Sequence, residues 1–153
     1  MSNFVYDKAK EKFLNGELSW GTSTGGDVFK VMLLTKDYTP NKSTHTNLTH
    51  IPQSSRIATS GALTNKSVTS GVASANPITF TNLSLGKVIR SILIIKQNSG
   101  ATESQTDLIA YIDTATGITT GLPISISTAT IEWQLDPQSV LNPPNNKRLI
   151  FKL

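Results

Sequence analysis

The sequence predicts a mainly β fold: an antiparallel two-sheet β-sandwich of about eight strands, with one short N-terminal helix. Three observations carry that expectation. Ile, Val and Thr contribute 41 of the 153 residues, and β-branched side chains, stiff at χ1, suit a pleated surface. Apolar residues recur at two-residue spacing or in brief continuous blocks. Helical spacing does not return between those blocks, which argues against a parallel βαβ sheet.

The helix is expected over Phe4 to Asn15. Phe4, Ala9 and Phe13 fall near one face, Asp7, Lys8, Glu11 and Lys12 form a solvated one, and Asn15-Gly16 supplies the stop. About three turns are marginal alone, so this helix must dock. Asp27 to Thr35 reads as a buried strand and Arg56 to Ala62 as a weak one. Lys66 to Val72 and Ile78 to Thr81 read as half-buried strands with Val68, Val72, Ile78 and Phe80 at alternating positions. The strongest signal is Val88 to Lys96, an apolar run suited to a central strand. Leu108 to Ile112, Ile118 to Ser127, Thr130 to Leu135 and Lys147 to Leu153 complete the set, with Ile124 and Ile126 expected on one face. With neither repeat nor linker, residues 1–153 read as a single domain, the segment 1–20 being an N-terminal docking arm.

Composition narrows the function classes. Thr, Ser and Asn make up 48 residues, charged residues only 16%, and cysteine is absent. That removes disulfide scaffolds, Cys-ligated zinc and thiol nucleophiles. The net charge of +4 comes from 11 Lys and 3 Arg scattered along the chain, whereas a nucleic-acid binder clusters them on one face. No specific nucleic-acid or membrane partner is therefore expected, and neither an apolar span nor a secretory leader is read.

Chemistry is thin. His45 and His50 are five residues apart, a spacing that suits neither a helical nor a strand metal pair, and they read as exposed loop residues. No G-x-S-x-G elbow presents a serine. Glu132 beside Trp133 reads as opposite faces of one strand rather than a glycosidase acid on a sugar platform. Gly21 to Gly26 lacks Walker spacing, and Asp113 to Gly117 lacks the distal ligands of a calcium loop. No catalytic, metal or cofactor residue is assigned, and the chain is expected not to be an enzyme. A lectin-like alternative, binding host glycans, would need exposed aromatics, with Trp20 and Tyr38 its best providers.

The order of segments carries a resemblance. It runs NFVYDKAKEKFLNGELSW, VFKVMLLTKDYTPN, HIPQSSRIATSGALTNKSVTSGVASANPITFTNLS, IRSILIIKQ, LIAYIDTATGITTGLPISIS and RLIFKL. This resembles small virion structural proteins of tailed bacteriophages and prophages across nearly the whole chain. The stretch from Asp136 to Asn146 departs from that pattern, as an insertion before the last strand. The resemblance implies a non-enzymatic particle component, foremost a capsid cement (decoration) protein, with a tail, neck or fibre-associated component as the alternative. Its partners would be the major capsid protein or another virion protein, together with copies of itself, a trimer being the expected oligomer, and its place the virion assembled in a host cytoplasm. Phe4, Tyr6, Lys8, Lys12, Phe13 and Trp20 are the residues expected at the subunit or capsid interface.

Overall fold

A computed structural model describes residues 3–21, 26–69, 71–113, 121–131, 134–135, 148–149 and 151–152. The elements in chain order are β1 (Phe4–Val5), α1 (Asp7–Leu14), β2 (Phe29–Leu34), β3 (Arg56–Thr59), β4 (Ser67–Thr69), β5 (Val72–Ser74), β6 (Ile78–Phe80) and β7 (Val88–Ile89). They continue with β8 (Ser91–Lys96), β9 (Asp107–Ile112), β10 (Leu122–Pro123), β11 (Ala129–Ile131), β12 (Gln134–Leu135), β13 (Arg148–Leu149) and β14 (Phe151–Lys152). Short 3-10 turns lie at Leu48–His50, Gln53–Ser55 and Glu103–Gln105. The fold is mainly β with antiparallel pairing, and the expected sandwich fits, although several expected strands are broken into short pieces.

The larger sheet has the order β1-β9-β8-β2-β3. Of the run Val88 to Lys96 that reads as a central strand, Ser91–Lys96 is one: β8 pairs with β2 from Phe29↔Lys96 to Leu34↔Ser91 and with β9 on its other side, whereas Val88–Ile89 separates as β7 and pairs with β10. Ile92, Leu93, Ile94 and Ile95 are all buried, as expected of a strand covered on both faces. The β8–β9 register shifts between Ile94 and Ile95, and such a bulge bends the strand and increases its twist. A second sheet has the order β14-β5-β4. Trp20 touches both, its ring 4.5 Å from that of Phe29 and its Nε1 donating to the Ser74 carbonyl at 3.2 Å.

The N-terminal helix begins later than expected. Phe4 and Val5 extend and pair with Tyr111 and Ala110 on the edge of β9. Tyr6, at φ −62° and ψ 141°, is the turning point into α1. Edge pairing satisfies backbone groups that a helix start would leave open, and Phe-Val-Tyr favours extended backbone.

Two further expectations fail at particular side chains. Val72 and Phe80 point inward, but Val68 is 54% exposed. Ile124 is buried while Ile126 is 66% exposed. Regular alternation stops after Pro123, where the chain loses strand geometry and bends at Ile126–Ser127. The expected turn after Asp113, the start of the strand at Ile118, the Glu132–Trp133 pair and the 136–146 loop lie outside the described residues.

Candidate interaction surface

The residues expected at an interface are largely built into the body. Tyr6 and Trp20 are buried in the core. Phe4 is half-buried, its ring stacked 5.4 Å from Tyr111, and Phe13 stacks 6.3 Å from Phe29. Lys8 pairs with Glu11 at 3.1 Å on the solvent side of α1, and Lys12 with Asp107 at 2.7 Å. Residues 3–20 thus form an edge strand and a packed helix rather than a detachable arm. Trp20 and Tyr38, the aromatics that would serve a glycan-binding face, are each only 4% exposed. Neither ring is therefore open for a glycan to stack on.

The surface that does present apolar groups lies elsewhere. Residues 121–131 run antiparallel along 78–89. Ile131, Thr130 and Ala129 pair with Ile78, Thr79 and Phe80, and Leu122 and Pro123 pair with Ile89 and Val88. Between these ends the backbone stays linked: Leu83 N–H donates to Ser127 O, Gly86 N–H to Ile124 O, and Ile124 N–H to Lys87 O, at 2.8–3.0 Å. The two short sheets are therefore one continuous, irregular ribbon. Its inner side contributes Phe80, Leu83, Ile89 and Ile124 to the core. Leu85 at 64%, Val88 at 43%, Leu122 at 41% and Ile126 at 66% remain exposed along the ribbon, with Leu122 on the same face as Ile89, and Val88 on the other. An apolar hollow of about 310 Å³ opens here, lined by Leu83, Ile89, Leu122, Ile124 and Ile126 among others.

Charge is nearly missing from this ribbon. Residues 78–89 hold one charged side chain, Lys87, and residues 121–131 hold none. The rest of both stretches is uncharged, so apart from Lys87 they offer the exposed Leu and Ile side chains no charged or strongly hydrated heads of their own. Sequence reading missed this surface because its two strands are far apart in the chain. A usable signal was present, namely two nearly uncharged apolar–hydroxyl stretches of similar length.

The polar clusters are structural. Arg56 forks onto both Glu103 oxygens at 3.1 Å and donates to the Leu48 and Ile51 carbonyls. These hydrogen bonds hold the Glu103 carboxyl below its ordinary value. Lys66 is buried, donates to the Asp27 carbonyl at 2.6 Å and lies over the Phe29 and Trp20 rings. Burial lowers its affinity for a proton, while Asp27 opposes that effect. His45 is half-buried rather than an exposed loop residue, because its Nδ1 lies 2.8 Å from the Tyr38 hydroxyl.

Among the described residues, no group of three or more His, Cys, Asp or Glu is placed to hold a metal ion. No described helix is long and apolar enough to cross a membrane. No family model matches the chain, and no curated protein matches its sequence.

Proposed function

We propose that this chain is a non-enzymatic structural component of a tailed-bacteriophage particle, a cement protein that bridges neighbouring capsid subunits. The observation that carries the reading is the ribbon of residues 78–89 and 121–131, whose one charged side chain is Lys87 and whose exposed Leu122 and Ile126 line an apolar hollow. The centres of protein–protein interfaces are depleted of charge in the same way. Short Ser, Thr and Asn side chains at the rim lose little rotamer entropy when ordered, unlike Lys or Glu. A shell protein present in many copies gains from modest contacts, because the lattice adds them together. The order of segments resembling small virion proteins supports the same reading. The partner is the major capsid protein, with self-association around a symmetric capsid position.

Pairing Leu122→Asp with Ile126→Asp tests this. Both side chains are exposed, so the variant should fold and show an unchanged far-UV spectrum. It should fail to co-sediment with purified shells that bind the unaltered chain. Undiminished binding by the folded variant would contradict the proposal. Attachment confined to the tail or neck would replace the cement role with that of an appendage component.

A further inference from the structure

We propose that residues 41–51 form an acid-released latch, in which the neutral rings of His45 and His50 hold the loop by accepting backbone N–H groups and protonation of His45 frees it. The Asn41 N–H lies 3.3 Å from His45 Nδ1. A backbone N–H only donates, so Nδ1 accepts and the neutral ring carries its proton on Nε2. The Tyr38 hydroxyl, 2.8 Å from the same Nδ1, then donates to it. The Tyr6 hydroxyl, 2.8 Å from that of Tyr38, donates in turn to the Tyr38 oxygen. The result is a one-way chain running from the core to the loop.

Protonating Nδ1 reverses that chain. Asn41 N–H then faces another N–H, and Tyr38 must accept from His45 and turn its own hydrogen toward Tyr6. Tyr6 is fully buried, and among the described residues Tyr38 is the only hydrogen-bond partner of its hydroxyl. Its hydrogen is left without an acceptor, a costly state inside a protein. The second ring adds to the effect. His50 stacks on His45 with centroids 5.2 Å apart and planes 15° from parallel. His50 Nδ1 accepts from Thr46 N–H at 3.3 Å, but it also lies 3.2 Å from the Asn47 carbonyl, to which a protonated ring can donate. A positive ring at His50 opposes one on His45.

The surrounding charges do not relieve this. Asp7, at the start of α1, is engaged by Lys42 and Ser43. Asp37, in the turn before Tyr38, is bonded to Thr35. Asp107, opposite Asn47, is paired with Lys12 and Lys96, and Glu103 with Arg56. Tyr111 on β9 meets the edge of the Tyr38 ring and is uncharged at neutral pH. Burial and the neighbouring His50 both lower the proton affinity of His45.

Hydrogen exchange on the full chain tests the latch. After correction for intrinsic rates, protection of the Asn41 amide, which donates to His45, should fall about tenfold relative to β8 between about pH 7.5 and about pH 5. His45→Gln, which keeps an acceptor but does not titrate, should abolish that fall. Equal protection at both pH values, or the same fall in the variant, would overturn the proposal. Should the variant not fold, ring ¹⁵N spectra of the unaltered chain decide. An unprotonated His45 Nδ1 at neutral pH, with a midpoint below the ordinary value near 6.5, supports the latch. A protonated Nδ1 at neutral pH, or a midpoint at or above that value, overturns it.

Discussion

Lys12 Nζ lies 2.7 Å from Asp107 Oδ1, joining the last turn of α1 to the first residue of β9 across 95 positions of sequence. Lys96 approaches the other oxygen of the same carboxylate at 3.7 Å. Asp107 is nearly buried, so removing its closer partner leaves a poorly solvated charge. Lys12→Met should therefore cost about 1–2 kcal/mol, less than breaking a fully buried pair because Lys96 remains. Urea denaturation measures this, and the loss should be larger than for Lys8→Met, whose pair with Glu11 is exposed.

The same relationship predicts the fate of a truncated chain. Removing residues 1–20 takes away the β1 edge, the Tyr6 and Trp20 side chains and the cover that Phe13 gives Phe29. Losing even one large aromatic from a core costs about 3–5 kcal/mol, against a total stability of about 5–15 kcal/mol. The truncated chain should lack a cooperative thermal transition by circular dichroism. A detachable arm would leave that transition intact.

Glycine positions separate backbone strain from steric conflict. Gly26 has φ +89°, and a Cβ there would sit 2.7 Å from the Trp20 carbonyl oxygen and 2.8 Å from that of Ser19. Gly86 has φ +91° with open space around it. Gly86→Ala should cost about 1 kcal/mol from the left-handed backbone alone. Gly26→Ala should cost at least about 2 kcal/mol more, because backbone must move. Paired thermal melts read the difference.

The Tyr6–Tyr38–His45 chain gives an asymmetric pair of substitutions. Tyr38→Phe strands the buried Tyr6 hydroxyl and should cost about 1–3 kcal/mol. Tyr6→Phe should cost less, since Tyr38 keeps His45. In the double variant the stranded group disappears, so the two costs should not add, and a double-mutant cycle measures the shortfall.

Alkaline stability follows from the same groups. Burial raises the Tyr38 phenol from 10.0 to about 12, and raises Tyr6 further. A phenol held neutral in the folded chain ionises more readily once unfolded. Its stabilising contribution is therefore complete below about pH 10 and declines as pH rises toward about 12. Urea midpoints between those values should fall steeply, and Tyr38→Phe should flatten the slope.

Much of the fold was legible because its strongest segments carry unambiguous patterns. Val88 to Lys96 and Asp27 to Thr35 have the continuous apolar runs of strands covered on both faces, and β8 and β2 are such strands. What was hidden depended on distant partners. Phe4 and Val5 fit a helical face as well as a strand, and only the free edge of β9 decides between them. Ile126 fits the alternation of Ile124, but the pairing that would enforce it stops at Pro123. Trp20 and Tyr38 are the best providers of exposed aromatics by sequence, yet Ser74 and Tyr6 supply buried partners from far along the chain. The ribbon surface was the least visible, since its hollow is lined from two stretches, Leu83 and Ile89 from one and Leu122, Ile124 and Ile126 from the other, that meet only when paired.

The proposed role is attachment, through the nearly uncharged ribbon, to a viral shell. Electron microscopy of purified particles, with protein copy numbers from mass spectrometry, tests it most directly. Many copies over the capsid are expected, with the hollow lined by Leu122 and Ile126 buried against capsid subunits. Absence of the protein from the particles, or a ribbon facing solvent on every copy, would contradict it.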